Sequence, residues 1–421
     1  MKKIITLLLC ILVIGTLSVG CSNNDKGEII LKKSDTELVF DRAAQKGDGK
    51  RLTSVYPFSN RSGFVMFDKR NDGGETFTDS YFGLYNMDTK ELTEIGKYGP
   101  MLMGSLDNMI IMNDRYLYMW STFLVGEEIQ YGQLALLRMD ILDKKLEVIE
   151  TIEDNTVSPL IYMSKLNENE FIATIVYKEE ENYATNTAAS TTRVIKYDSI
   201  SRISQTIIEN KYVYTVGEAE STGILLESVC SMDNKIYAVG RRMEDSEWHY
   251  YFYTYDDEGN LLSEVEAEAL AHTMKDRVTQ GFYVVGSYFT LTQYETGSSA
   301  LYRIDDKQVE VVIKHEENMM FSNMSNLYRS EKSPYIYYMV NWNFYDEAFQ
   351  NATENNQVSA LNTATGQTSS IKTTIDDERP YLDYVFIDEN GNLIISLIEQ
   401  KFADQPREYF VSNETLQKLL K

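Results

Sequence analysis

Lys235-Ile236-Tyr237-Ala238-Val239, followed after a loop by Tyr253-Thr254-Tyr255-Asp256 and then Asp257-Glu258-Gly259-Asn260, is the stretch that decides the fold. Its first part is a short strand after a polar turn. Its second is a strand ending in an acid whose side chain can bond the backbone of a tight turn, followed by the glycine such turns favour. The same two-part pattern runs along the whole chain. The first part recurs as Gly63-Phe64-Val65-Met66-Phe67, Arg115-Tyr116-Leu117-Tyr118-Met119 and Glu170-Phe171-Ile172-Ala173-Thr174. It returns as Ser287-Tyr288-Phe289-Thr290-Leu291, Tyr335-Ile336-Tyr337-Tyr338-Met339 and Asn392-Leu393-Ile394-Ile395-Ser396. The second part closes on Asp88, Asp140, Asp198, Asp256, Asp305, Asn362 and Asn413. The first apolar positions are 64, 116, 171, 236, 288, 336 and 393, so the repeats lie 48 to 65 residues apart.

Strands at that spacing predict an all-β chain folded as a β-propeller of four-stranded blades. The length fits seven blades, and six or eight remain open. Thirty Tyr and 17 Phe against six Pro agree with strands. With strands lettered A to D from the axis outward, the first part is strand B and the second is strand C with its turn into D. These repeats resemble the loosely related bacterial propellers of the TolB, quinoprotein and YWTD kinds. The resemblance is one of pattern over nearly the whole mature chain; no YWTD tetrapeptide and no WD series is present. In the last unit, strand C at 409–412 leads into Thr415-Leu416-Gln417-Lys418-Leu419-Leu420, which reads as a helical tail. The outer strand of that blade is then missing. Thr36-Glu37-Leu38-Val39-Phe40, near the N-terminus, is expected to supply it and close the ring.

Before that segment, Lys2 and Lys3 precede an uncharged, mostly apolar run over 4–19, short of the roughly 20 residues a membrane-spanning helix needs. The run ends in Leu17-Ser18-Val19-Gly20-Cys21. This resembles the lipobox of bacterial lipoproteins, in which small residues precede a cysteine that becomes the lipidated N-terminus; Ser18 stands where that family usually has Leu. The resemblance implies a signal peptide over 1–20, lipid on Cys21, a lipid-anchored linker over 21–35 and a propeller domain over 36–421. It also implies a place on the outer face of the cytoplasmic membrane. Cys10 leaves with the signal, so Cys230 is the one thiol left in the folded part and no internal disulfide can form. In its strand-like surroundings Cys230 is expected to be an inert packing residue.

The formal charge is −24. That excludes nucleic acid as a partner, because phosphate contacts need Lys and Arg. Only three histidines exist, His249, His272 and His315, on three different blades and without metal spacing. Arg70-Asn71-Asp72-Gly73-Gly74-Glu75-Thr76-Phe77 is similar to the Asp-box of sialidase-type propellers, but falls between strands B and C and reads better as a glycine-rich loop. Asp388-Glu389-Asn390-Gly391-Asn392 reads as a tight turn rather than a calcium loop, since it lacks the downstream acidic ligand.

The B–C loops carry the stronger signal. Trp120, Trp248 and Trp342 lie in or beside them, with Phe344 and Tyr345 in the longest, and acids accompany them, among them Asp245, Glu247, Asp346 and Glu347. Aromatics beside carboxylates suit a stacked sugar or a cationic peptide. Trp120, Trp248, Trp342, Phe344 and Tyr345 are therefore the candidate ligand face. The alternative is that these acids mark solvated loops and the indoles pack at strand ends. The expected function is a recognition or scaffold module at the cell surface, non-enzymatic and without cofactor, with a glycan, peptide or protein as partner. A carbohydrate-active enzyme using loop carboxylates, and a structural partner of a membrane protein complex, stay open as alternatives.

Overall fold

A computed structural model describes residues 25–41, 50–57, 61–70, 77–98, 109–122, 133–153, 160–178, 187–215, 218, 220–267, 272–273, 280–293, 298–304, 308–315, 319–321, 328–342, 357–375, 381–398 and 407–421. Seven sheets, antiparallel apart from one added parallel strand on blade six, follow one another around a ring. Blade one is β3 (Lys50–Pro57), β4 (Ser62–Arg70), β5 (Phe77–Asn86) and β6 (Leu92–Tyr98). Blade two is β7 (Met109–Met112), β8 (Tyr116–Thr122), β9 (Gln133–Asp140) and β10 (Lys145–Glu153). Blade three is β11 (Leu160–Lys165), β12 (Glu170–Lys178), β13 (Thr187–Asp198) and β14 (Ser204–Thr215), with β15 (Ser221–Thr222) added outside. Blade four is β16 (Leu225–Met232), β17 (Lys235–Glu244), β18 (Glu247–Tyr255) and β19 (Leu261–Glu266), and β20 (His272–Thr273) also pairs with β18.

Blade five is β21 (Gln280–Val285), β22 (Tyr288–Gln293), β23 (Ser298–Ile304) and β24 (Val309–His315). In blade six, β25 (Met319–Phe321) and β26 (Tyr328–Arg329) share the inner edge of β27 (Tyr335–Trp342), followed by β28 (Gln357–Asn362) and β29 (Thr368–Thr373). Blade seven is β30 (Tyr381–Ile387), β31 (Leu393–Ile398) and β32 (Arg407–Val411), completed by the N-terminal β2 (Glu37–Asp41). Seven blades and an N-terminal closing strand are thus the architecture, as the repeats predict.

The outer strands share a further device. Opposite strand C, one residue of strand D is left unpaired in blades one to five: Ile95, Ile149, Ile207, Leu262 and Val312. Such a bulge sharpens the local twist. Strand β2 carries the same bulge at Val39, so it is built as a D strand as well as placed as one.

Hydrophobic clusters fill the seven seams between neighbouring blades. The seam from blade seven to blade one holds Val39, Phe40, Val65, Phe67, Tyr85 and Met87. At the seam between blades six and seven, α1 (Asn413–Leu420) buries Leu416 and Leu420. The Ser412 hydroxyl caps this helix by accepting from the Thr415 amide at 3.2 Å. Among the described residues, no helix is long and apolar enough to cross a membrane.

Most of the acids and amides read as closing C strands act as the sequence suggests, but in blade one the capping residue is Asn86, two places before Asp88, and Asn413 begins the C-terminal helix. Asn86, Asp140, Asp198 and Asn362 each accept two backbone amides of the turn that follows, at 2.8 to 3.2 Å. Asp256 and Asp388 share a second version, in D-x-x-G-N. One oxygen of each accepts the amides two and four residues on, and the other accepts the side-chain amide of Asn260 or Asn392. Asp388-Glu389-Asn390-Gly391-Asn392 is therefore a tight turn.

One feature differs from expectation. Within the stretch read as linker, β1 (Asp25–Leu31) forms a fifth strand on blade six, parallel to β29. Leu31 is fully buried at the seam between blades six and seven. Its short run of alternating charge and aliphatics gives little strand signal until an edge is there to receive it.

Candidate functional site

Strand polarity gives the ring two unlike faces: the A–B and C–D turns emerge on one, the B–C loops on the other. The turn face is drawn together across the axis. Lys165, at the end of β11 in blade three, pairs with Glu389 of blade seven at 2.8 Å. Blades three and seven are not neighbours, so this pair spans the channel mouth. Around it, the Ser164 and Ser231 hydroxyls lie 2.9 Å apart, and Arg329 Nη1 approaches Met232 Sδ at 3.4 Å. The Ser330 hydroxyl donates to the Glu389 carbonyl, and Lys332 Nζ donates to Asn390 Oδ1.

The loop face is best described at blade four. The β17–β18 hairpin turns on Asp245 and Ser246, both with positive φ (49° and 68°), as a two-residue hairpin requires. The short turn places Trp248 opposite Met243. Tyr214 lies 5.9 Å and Tyr212 6.5 Å from the Trp248 ring, centroid to centroid. Both tyrosines come from β14 of blade three, which extends past the seam. The Arg241 guanidinium sits 4.5 Å over the indole and pairs at 2.5 Å with Glu227 on the inner strand β16. Burial pushes the Glu227 carboxyl above its ordinary range, and Arg241 pulls it back. Burial likewise pushes the Tyr212 phenol up to about 12. The result is a polar and aromatic chain from the inner strand outward through Glu227, Arg241, Trp248 and Tyr212. Beside it, His249 Nδ1 lies 2.8 Å from Glu266, and Tyr251 donates to Glu244 at 2.8 Å.

Of the sequence candidates, Trp248 is the one the structure places in such a cluster, half-buried. Trp120 is corrected: its side chain is buried in the seam between blades two and three, with Ile110, Met112, Leu136 and Phe171. At the end of β8 its ring turns into the interblade core, where an indole fills more volume than any other side chain. The backbone of Trp342 ends β27, but its side chain lies outside the described residues, as do Phe344, Tyr345 and Cys21. So do most of the loop acids, including Asp346 and Glu347, and the interior of the Asp-box-like stretch. Asp245 and Glu247 are exposed at the hairpin tip.

Cys230 is half-buried between blades four and five, and burial pushes its thiol up to about 12, far from a reactive thiolate. His272 lies in β20, in register with Trp248 on blade four, so it shares the blade of His249 and the three histidines fall on two blades rather than three; His315 lies in β24 of blade five. Carboxylates of Asp256, Asp257 and Glu258 lie within 4.8 Å of one another on an exposed turn, but both Asp256 oxygens already serve that turn. Nothing in the sequence pointed to Tyr212, Tyr214 or Glu227: the tyrosines reach Trp248 only when blades three and four meet, and Glu227 is linked to it through Arg241 only when three strands of blade four pair.

No protein-family model matches this chain, and no curated protein sequence does. Solved structures resemble it at low identity. An oligogalacturonate lyase in complex with manganese is 11% identical with a TM-score of 0.41, covering 87% of this chain and 98% of its own. The polysaccharide lyase Uly1 is 11% identical with a TM-score of 0.48, covering 85% and 88%. Prolyl oligopeptidase B from Galerina marginata is 6% identical with a TM-score of 0.44, covering 83% of this chain and 47% of its own. Identities this low leave those activities with those proteins. The seven-bladed assignment rests on this chain's own strand pairing.

Proposed function

We propose that this chain is an exported lipoprotein, anchored through Cys21 to the outer face of the cytoplasmic membrane, whose loop face is a recognition surface. The observation that carries the reading is the Trp248 cluster. A half-buried indole is held by two tyrosines and a guanidinium from a neighbouring blade and strand, beside a hairpin tip bearing Asp245 and Glu247. Holding an aromatic ring in place before a ligand arrives lowers the ordering cost of binding. The acids at the tip favour a cationic peptide, and the ring suits a glycan.

The test is calorimetric titration of the mature chain with cell-wall glycans, plant polysaccharide fragments and cationic peptides. Binding that Trp248→Ala weakens tenfold or more supports the reading. If the ligand is a peptide, Asp245→Lys with Glu247→Lys should weaken it too without lowering the melting temperature. Turnover of a glycan in the same samples would replace this reading with a carbohydrate-active enzyme. Silence across the panel would favour a structural partner of a membrane complex.

A further inference from the structure

We infer that the turn face lies against the lipid surface holding Cys21, with the C–D turns of blades two and three inserted at its headgroup layer. The inference rests on the lipid anchoring proposed above. The first support is where the tether enters the ring. Strand β1 starts at Asp25, which pairs with Thr368 just after the C–D turn of blade six. Asp25 stands four residues after Cys21, a span of at most about 14 Å. An anchor that short, reaching the ring beside a C–D turn, brings the rim of C–D turns to the bilayer.

The second support is what that rim exposes. The most exposed large hydrophobic residues among those described are Leu142 at 69%, Ile200 at 68% and Ile203 at 65%. Four C–D turns align on the residue that caps them: Asn86, Asp140, Asp198 and Asn362. Two places on, at the tip, they carry Asp88, Leu142, Ile200 and Ala364. Large aliphatic tips thus occur in blades two and three, side by side on one stretch of the rim. Leu261 and Leu262 continue it in blade four, but Asp257 and Glu258 stand beside them, so the contact centres on blades two and three. Exposed aliphatics gathered on one edge mark an interaction surface.

The third support is charge placed against the balance of the chain. Four residues after the capping residue, where blade six has Gly366 at φ +70°, blades one, two and three have Lys90 at +62°, Lys144 at +55° and Arg202 at +62°, and Lys90 is taken up by the Leu38 and Val39 carbonyls of the closing strand. Left-handed backbone favours glycine, so a side chain there is kept at a cost. Asp140 and Asp143 are engaged with Arg115, and Glu147 with Lys145 and Arg202, so Arg202 is itself paired, whereas Lys144 makes no ion pair among the described residues. Lys144 beside the Leu142 tip, in a chain of formal charge −24, suits phosphate headgroups.

The test uses the full acylated protein on vesicles of phosphatidylcholine and phosphatidylglycerol. In a Cys230→Ala background, a fluorophore is attached at Ile200→Cys on the turn face or Asp245→Cys on the loop face, and lipids carrying a spin-label quencher are added. Mass analysis of the N-terminal peptide reports acylation of Cys21 independently. The expected result is several-fold stronger quenching at 200 than at 245, reduced by adding Leu142→Glu. Equal or reversed quenching in acylated protein overturns the orientation and leaves the anchor standing. Absence of the acyl mass overturns both. A probe at 200 that lipid does not quench, but a membrane extract shields from aqueous iodide, assigns the tips to a protein partner and overturns the lipid contact.

Discussion

Phe40 and Tyr85 meet edge to face across the seam between blades seven and one, with ring centroids 5.0 Å apart and planes at 87°. Phe40 belongs to the N-terminal strand that completes the last blade; Tyr85 belongs to the first. Both are almost fully buried, and burial pushes the Tyr85 phenol up to about 12. Around them blade one grips the closing strand from outside: Arg61 pairs with Glu37 at 2.6 Å and with Asp88 at 2.8 Å, and Lys90 donates to the Leu38 carbonyl at 3.0 Å.

This seam is where the ring should fail first. Phe40→Ala should cost about 3–5 kcal/mol, the usual loss for a buried phenylalanine. Arg61→Ala, at a half-exposed pair, should cost no more than about 1 kcal/mol. Removing residues 22–41 should lower the melting temperature sharply, and removing only 22–31, which takes β1, should lower it less. Thermal unfolding of the four variants checks the order; an unchanged melt after the longer deletion would show that β2 does not close the ring.

Trp120 and Trp248 should separate stability from binding. Trp120→Ala empties a seam and should cost about 3–5 kcal/mol, leaving the affinity of the surviving folded protein unchanged. Trp248→Ala should cost less stability and more affinity. Chemical denaturation and titration of both variants would reverse the assignment if Trp120 proved to control affinity.

Lys144→Gly should stabilise the fold by about 0.5–1 kcal/mol. It relieves a left-handed residue, and glycine's own entropy cost offsets part of that gain. Urea midpoints at an unchanged slope would show it. If the cation serves the lipid contact, the same variant should bind anionic vesicles more weakly while being more stable.

The two D-x-x-G-N turns should titrate in opposite directions. Burial raises the Asp388 carboxyl, whereas the side-chain bond from Asn260 lowers that of the less buried Asp256. For Asp388 the folded state holds its proton above the unfolded value, so its contribution to stability falls as pH rises through that window. For Asp256 the contribution is present above the unfolded value and is lost as pH falls through the lower folded one. Carbon-13 NMR of the side-chain carboxyls should give Asp388 the higher midpoint. Asp388→Asn should remove the part of the stability profile that declines with rising pH.

Across the axis, Lys165 and Glu389 are both partly exposed. A double-mutant cycle on Lys165→Ala and Glu389→Ala should give a coupling of about 0.2–1 kcal/mol that shrinks with added salt. Zero coupling at low salt would mean that the turn-face mouth is held by its hydrogen bonds alone.

The amino-acid sequence by itself determined the strand repeats and most of the capped turns, because period-two patterning and Asx turns are local; it favoured seven blades over six or eight, and strand pairing decided the count. The sequence also determined the closing strand: a last blade one strand short and an unclaimed strand at 36–40 admit one solution in a ring. Four further things were left to the tertiary structure, each because it depends on neighbours distant in sequence. Strand β1 needed the free edge of blade six to pair with. Trp120 and Trp248 look alike in sequence, both beside B–C loops, but one ring turns into a seam and the other meets Tyr212 and Tyr214 of the next blade. The bulges at Ile95, Ile149, Ile207, Leu262, Val312 and Val39 arise from register between paired strands, which no single strand contains. The pairing of Lys165 with Glu389 exists only because closing the ring brings blades three and seven to opposite sides of one narrow axis.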